Sequence, residues 1–254
     1  MNDTRLDILF AHHDETLPAA FLDYATPSNK PLSALSERQL KKWKSRRMAH
    51  FLLHQLFETH HLDTSLLAHI QKTESGRPYL EHPQLDFNIS HSGDWVAVIL
   101  CYSSSKLAVG IDIEHPQKVR RYHDLLHYYA KPAEISALTE AKLPSALPEF
   151  EQRFYLSWCL REAVLKSQGV GIVKLSEVEH HPAEKTITTA YAPHGKLYFY
   201  HQLPFYLAYF FEQPQSVLLS PTLSQWREGQ AHPLNALQPL IYSVNEGAVC
   251  QKLT

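Results

Sequence analysis

The stretch Val109-Gly110-Ile111-Asp112-Ile113-Glu114 sets the reading of the whole chain. Its alternation predicts a β-strand with Val109, Ile111 and Ile113 on one face and Gly110, Asp112 and Glu114 on the other. His115-Pro116 ends it, because proline cannot donate to a sheet ladder. The two carboxylates then stand about 7 Å apart at Cα, and Gly110 is predicted to leave open space beside them. Two acids on one face repel unless water or a cation intervenes. Mg2+ suits such a face, since it takes one or two carboxylates and completes its shell with water and phosphate oxygens. The plainer alternative is an edge strand with two solvated acids. Flanking segments decide between the two.

The 254 residues suit two modest lobes better than one compact core. Ser103-Ser104-Ser105 reads as the hinge, giving an N-terminal lobe over residues 1–104 and a C-terminal lobe with its tail over residues 105–254. A formal net charge of −2 offers no bulk attraction for nucleic acid. Cys101, Cys159 and Cys250 are odd in number and far apart, so neither a disulfide framework nor a zinc site is expected, which fits a reducing cytoplasm. Cys101 and Cys159 lie in apolar runs and read as buried packing residues. No secretory leader or apolar run of transmembrane length is visible, so no membrane association is expected. The pairs His12-His13, His60-His61 and His180-His181 lack metal-ligand spacing and read mostly as surface residues.

Residues 6–10 read as an opening strand, and 14–35, with Pro18, Pro27 and Pro31, as loop with short helical pieces. Ser36-Glu37 opens a helix to about residue 61, whose apolar face includes Trp43, Met48, Phe51, Leu52 and Phe57. Its first half carries Lys41, Lys42, Lys44, Arg46 and Arg47, either a solvated face or an anion site. A short helix near 65–71 leads into the turn Ser75-Gly76-Arg77-Pro78, which should hold Arg77 at a loop tip. Residues 85–89 alternate like a strand, Ser90-His91-Ser92-Gly93 reads as a tight polar turn suited to phosphate, and 95–102 as a buried central strand. A serine nucleophile with His91 as base competes there, but no G-x-S-x-G elbow supports it.

Lys118, Arg120 and Arg121 form a basic segment after the acidic strand, and Lys131-Pro132 opens a further helix. Pro144 and Pro148 precede the main helix, 150–168, closed by Gly169 as a C-cap signal. Trp158, Glu162 and Lys166 share one face of it, with Arg161 on the adjoining face. Alone, Glu162 and Lys166 are an ordinary helical pair worth about 0.2–0.5 kcal/mol. Beside the acidic strand they supply a third carboxylate and a cation. Residues 205–211 repeat the pattern of 95–100, consistent with an internal duplication, and little is legible beyond Pro214.

Four motifs, in order, then carry a resemblance: Gly76-Arg77-Pro78, Asn88-Ile89-Ser90-His91-Ser92, the strand from Val109, and Trp158-Cys159-Leu160-Arg161-Glu162-Ala163-Val164-Leu165-Lys166. Over roughly residues 36–175 the chain resembles the 4'-phosphopantetheinyl transferases, in particular the larger, surfactin-synthetase-activating (Sfp-like) type. The resemblance implies an α+β fold of two similar lobes with pseudo-twofold symmetry and an active site in the cleft between them. It implies coenzyme A as donor, Mg2+ as cofactor, and a serine of an acyl, polyketide or peptidyl carrier protein as acceptor, with release of 3',5'-ADP. Carried over, Asp112, Glu114 and Glu162 would hold Mg2+, and Glu162 would also deprotonate the serine. Lys166, Ser90 and His91 would contact phosphates of coenzyme A, and Arg77 its 3'-phosphate, joined there by Arg46 or Arg47. A cytoplasmic monomer is expected.

Two departures stand out. Gly-Lys-Pro is common in the family where this chain has Gly76-Arg77-Pro78, and the family's Lys-Glu pair is Arg161-Glu162 here. Arginine stays protonated, so Arg161 is read as electrostatic or structural, and Arg161→Lys as tolerated. Two other classes remain: a Mg2+-dependent coenzyme A or nucleotide phosphohydrolase, and a non-catalytic homologue that only binds carrier proteins.

Overall fold

A computed structural model of the chain describes residues 4–22, 31–140, 147–214 and 221–246. Pro27, Pro144 and Cys250 lie outside the described residues. In chain order the first half contains β1 (Arg5–His12), α1 (Glu37–Thr59), the short β2 (Gln71–Lys72) and β3 (Pro78–Tyr79), β4 (Leu85–Ser92) and β5 (Trp95–Tyr102). The second half contains β6 (Val109–Glu114), α2 (Tyr122–His127), α3 (Pro132–Thr139), α4 (Phe150–Ser167), β7 (Glu179–His181), β8 (Thr186–Thr188), β9 (Gly195–Tyr200), β10 (Tyr206–Glu212), β11 (Thr222–Arg227), β12 (Gln230–Pro233) and β13 (Leu240–Val244). The class is α+β.

Two sheets face each other. One has the order β12-β11-β1-β5-β4, the other β6-β10-β9-β13-β8-β7. Alternation assigns each strand face to a different core. Leu9, Val96, Val98 and Leu100 face α1, which buries Met48, Phe51, Leu52 and Phe57 against them. Ile8, Phe10, Ala97 and Ile99 face the other way and meet Val109, Ile111, Ile113, Leu207 and Tyr209 of the second sheet. The opposite face of that sheet, with Ala208 and Phe210, packs on Phe154, Cys159, Leu160 and Ala163 of α4. The apolar runs of β5 and β10 thus lie inside their sheets, as their near-continuous hydrophobicity requires. Cys101 and Cys159 are buried and free.

Ser36 caps α1 in a reciprocal capping box with Gln39, and Gly169 closes α4 at φ +67°. The tail does not stay with the second half. Residues 222–227 pair in parallel with β1, and β12 adds beside them, so assigning all of 105–254 to one lobe needs that amendment. The segment near 65–71 is a 3-10 helix over Thr64–His69, and Gln71 already belongs to β2. Nor does a polar turn begin at Ser90. β4 runs on through Ser92, and the reversal falls at Gly93-Asp94, where Gly93 has φ +58°.

The seam between the sheets joins two edge strands, β4 and β6. Backbone N–H groups of β6 that would be orphaned at this edge donate instead to side chains of β4. Val109 N–H donates to Asp86 Oδ2 at 3.0 Å, and Ile111 N–H to Asn88 Oδ1 at 3.1 Å. Ile113 N–H donates to Ser90 Oγ at 3.2 Å, and His115 N–H to Ser92 Oγ at 3.0 Å.

Candidate active site

Asp112 and Glu114 project from β6 on the face opposite its isoleucines, as the alternation predicts. The space beside Gly110 is not open. A Cβ there would sit 2.0 Å from the Ala163 carbonyl oxygen and 2.7 Å from Ser167 N. Glycine is needed because the backbone of α4 lies directly on the strand. That close approach carries Glu162 and Lys166 to the acidic face.

Lys166 Nζ lies 2.5 Å from Asp112 Oδ1 and 3.1 Å from Ser90 Oγ. Asp112 is 2 % exposed, and its Oδ2 is buried without a partner. Glu114 Oε2 accepts from Ser92 Oγ at 3.3 Å, and Arg120 Nη2 approaches it at 4.0 Å. Burial first, then the charge of Asp112, pushes the Glu162 carboxyl up to about 7, against the pull of Lys166. Glu114 is raised for the same two reasons. Burial alone would depress the Lys166 ammonium, but Asp112 and Glu162 more than offset it, and its pKa is raised. Three carboxyl groups and one lysine therefore share a field in which negative charge is in excess.

Among the described residues no group of three or more His, Cys, Asp or Glu side chains converges closely enough to form a complete metal site. An all-protein cage is thus not built. The donor chemistry still fits Mg2+, which needs only one or two carboxylates and draws its other ligands from water and phosphate. The unpartnered Asp112 Oδ2 and the mutual crowding of the carboxyls are what a hard cation would relieve.

A cavity of about 480 Å3 opens between α1 and β4, lined by Arg46, His50, Lys72, Pro78, Ile89 and His91 among others. Partial enclosure, then the charges of Lys166, Arg46 and Lys42, hold the His91 pKa down, although the ring keeps surface open to solvent. Positive potential is therefore concentrated where His91 stands. A second cavity of about 250 Å3 is lined by Asn88, Glu162, Lys166, Arg77 and Ile172. Arg46 reaches the first cavity, whereas Arg47 stacks its guanidinium over Trp43 at 4.4 Å and leaves Nε buried without a partner.

Other assignments move. Arg77 is not at a loop tip. Its Nη2 binds Asp86 Oδ2 at 2.7 Å and the carbonyls of Phe87 and Val109 at 3.3 Å, and its Nε binds the Lys166 carbonyl at 2.9 Å. It is a half-buried clasp at the seam, with its side chain 9 % exposed. Arg161 turns away from the site. It is 1 % exposed and forks onto Glu134 at 2.8 and 2.5 Å, while Nε reaches the carbonyls of Leu175 and Val178. The pocket uses the planar guanidinium fork, which lysine cannot reproduce, so the structure replaces the expected tolerance of lysine with an expected loss. His13 and His180 are buried, the His60 side chain is 5 % exposed, and His180 Nδ1 meets Glu134 at 2.9 Å. Sequence reasoning missed the seam acceptors Asp86, Asn88 and Ser92. Their signal was a run of short polar acceptors at every second residue of one strand.

Comparison with known proteins places the chain. A family model for the 4'-phosphopantetheinyl transferase superfamily matches residues 108–217, the span holding β6 and α4. A provisionally named 4'-phosphopantetheinyl transferase of Haemophilus influenzae is 43% identical over 211 residues, covering 83% of this chain and 86% of that protein. A 4'-phosphopantetheinyl transferase of Bacillus subtilis is 37% identical over 102 residues, 39% of this chain and 40% of its own. A phosphopantetheinyl transferase of Thraustochytrium is 34% identical over 114 residues, 41% and 38% of the two chains. A relative this similar over most of both chains, together with a family match across the acidic strand and its helix, makes this protein a transferase belonging to the 4'-phosphopantetheinyl transferase superfamily.

Proposed function

We propose that the protein is of the Sfp-like type and transfers the 4'-phosphopantetheine group of coenzyme A to a serine of an apo acyl, polyketide or peptidyl carrier protein. The reaction releases 3',5'-ADP and depends on Mg2+. The observation that carries this reading is the pairing of buried Asp112 with the half-buried Lys166 at 2.5 Å, with the raised carboxyl of Glu162 beside it. Phosphoryl transfer asks for positioning and charge stabilisation rather than a protein nucleophile.

The cavity lined by Arg46 and His91 takes the phosphorylated adenosine of coenzyme A, drawn by the positive potential there. Arg46 rather than Arg47 serves it, since Arg47 is committed to Trp43. Ser90, Lys166 and His91 meet the pyrophosphate. The serine hydroxyl oxygen attacks the β-phosphorus, the bond to the α-phosphate oxygen breaks, and 3',5'-ADP leaves with that bond's electron pair. Glu162 accepts the serine proton directly or through one water. Lys166 stabilises the oxygen charge that develops between the phosphates. Asp112, Glu114 and Glu162 are the residues that would hold Mg2+, which when bound neutralises charge on the pyrophosphate. Arg120 and Arg121, 45 % and 90 % exposed, with Lys118 beside them, offer a basic surface to an acidic carrier helix. The enzyme works as a cytoplasmic monomer, with no nucleic acid or membrane partner. Among the described residues no helix is long and apolar enough to cross a membrane.

The test is incubation with an apo carrier protein, coenzyme A and Mg2+, read by mass. A carrier gain equal to phosphopantetheine supports the reading. Cleavage of coenzyme A without that gain would replace it with a phosphohydrolase, and no reaction with any of the three carrier classes would leave a carrier-binding homologue.

A further inference from the structure

We propose that Asn88 is a positioning residue, which fixes the strand bearing Asp112 by a side-chain hydrogen bond across the seam. The peptide N–H groups on either side of Asp112 belong to Ile111 and Ile113. They are held by Asn88 Oδ1 at 3.1 Å and Ser90 Oγ at 3.2 Å. Asp112 is therefore pinned from both sides by β4. Ser90 also touches Lys166 and Asp112, so its loss would confound two roles. Asn88 is 3 % exposed and no other contact competes for its carbonyl oxygen in the described set.

The four seam acceptors run Asp86, Asn88, Ser90, Ser92. The first two place their oxygen one bond further from the backbone than the last two. All four bonds are of similar length, so each position is served by an acceptor of its own reach. Main-chain pairing would fix only a common register. Side-chain rungs fix the height of each peptide separately, and with it the place of Asp112 against Lys166 on α4. Misplacing a reacting group by about 1 Å can cost on the order of a hundredfold in rate.

The experiment pairs amide hydrogen exchange with kinetics in three variants. Asn88→Leu keeps the volume and removes the acceptor. Exchange at the Ile111 amide should quicken at least tenfold while the Val109 amide, held by Asp86, changes little. Asn88→Asp restores the acceptor and should restore Ile111 protection. Asn88→Ser is one bond short and should leave Ile111 unprotected, and it carries the comparison if Asn88→Leu does not fold. In the carrier-modification assay kcat should fall at least tenfold in Asn88→Leu, with KM for coenzyme A within twofold. Because Asn88 also lines the smaller cavity, a contact role would raise KM instead. Unchanged exchange at Ile111 overturns the proposal, as does lost protection with kcat intact. The kinetic arm rests on the transferase reading, but the exchange arm needs no substrate and stands or falls by itself.

Discussion

Arg161 and Glu162 are neighbours on α4, and each anchors a charged cluster of opposite character. Around Arg161, charges are matched. Glu134 receives two guanidinium bonds, a third from Ser157 Oγ at 2.7 Å, and a contact from His180. Burial would raise the Glu134 carboxyl, yet His180 and Arg161 hold it down at about 2. Around Glu162 the count fails. Three carboxyls share Lys166, with Arg120 4.0 Å from Glu114 as the other nearby cation, Asp112 Oδ2 has no partner, and Glu162 is pushed up to about 7. A charge-matched cluster stabilises a fold, whereas one with charge in excess is held in place by the rest of the fold and has capacity left for a ligand.

If that division is right, substitutions one residue apart should fail differently. Arg161→Ala strands Glu134 in the core and should cost about 3–5 kcal/mol of stability in denaturant titration. Arg161→Lys keeps the charge but loses the fork and its reach to Leu175 and Val178, at about 1.5–3 kcal/mol. A lysine variant as stable as wild type would dissolve the distinction between the clusters. In the open cluster, Asp112→Ala should leave the melting transition close to wild type. Its transfer rate should fall a hundredfold or more, on the order of the ~2.7–4 kcal/mol lost with a transition-state stabiliser. Near-normal turnover in a folded Asp112→Ala protein would remove the open cluster from catalysis.

A third substitution should move stability the other way. Glu162→Gln removes a crowded buried charge without changing shape. In chelator, at pH 8, it should stabilise the fold by about 1–3 kcal/mol while abolishing most transfer. Sites arranged for chemistry commonly trade stability for activity in this way. A destabilised Glu162→Gln protein would mean that Lys166 pairs with Glu162 more strongly than Asp112 repels it.

Local pattern revealed the elements of this site but not their partners. β6 was legible because a two-residue period and a following proline leave little choice. α4 was legible through the spacing of Trp158, Glu162 and Lys166 and its terminal glycine. Arg161 was legible only as electrostatic or structural, and its partner was not, because Glu134 lies 27 positions upstream on another helix. Arg77 was misplaced for the same reason, since its partners come from β4, β6 and α4. Gly110 was read as empty because sequence marks an absent Cβ without saying what fills the gap. The return of residues 222–233 to the first sheet rests on a parallel pairing over more than two hundred residues, which no local signal encodes.

The smallest effect expected, and the one most particular to the closed cluster, is its response to mild acid. His180 is buried and its Nδ1 lies 2.9 Å from Glu134 Oε1. Glu134 is ionised at neutral pH, so Nδ1 carries the proton and donates, leaving Nε2 deprotonated, buried and without a partner. Protonating Nε2 would bury a second N–H with nothing to receive it. Burial, the largest cause, therefore lowers the His180 pKa, helped by the charges of Arg161 and His181 and opposed by Glu134. The sign follows from linkage. A histidine whose folded pKa lies below its unfolded value of about 6.5 takes up its proton more readily in the unfolded chain. Its contribution is present above pH 6.5 and is lost as pH falls through the folded pKa, at no more than about 1.4 kcal/mol per pH unit. His180→Gln keeps a donor for Glu134 and cannot titrate. Stability curves from pH 8 to pH 5.5 should therefore fall more steeply for wild type than for His180→Gln. Parallel curves would show that His180 accepts its second proton within the fold, and that the closed cluster has room for charge after all.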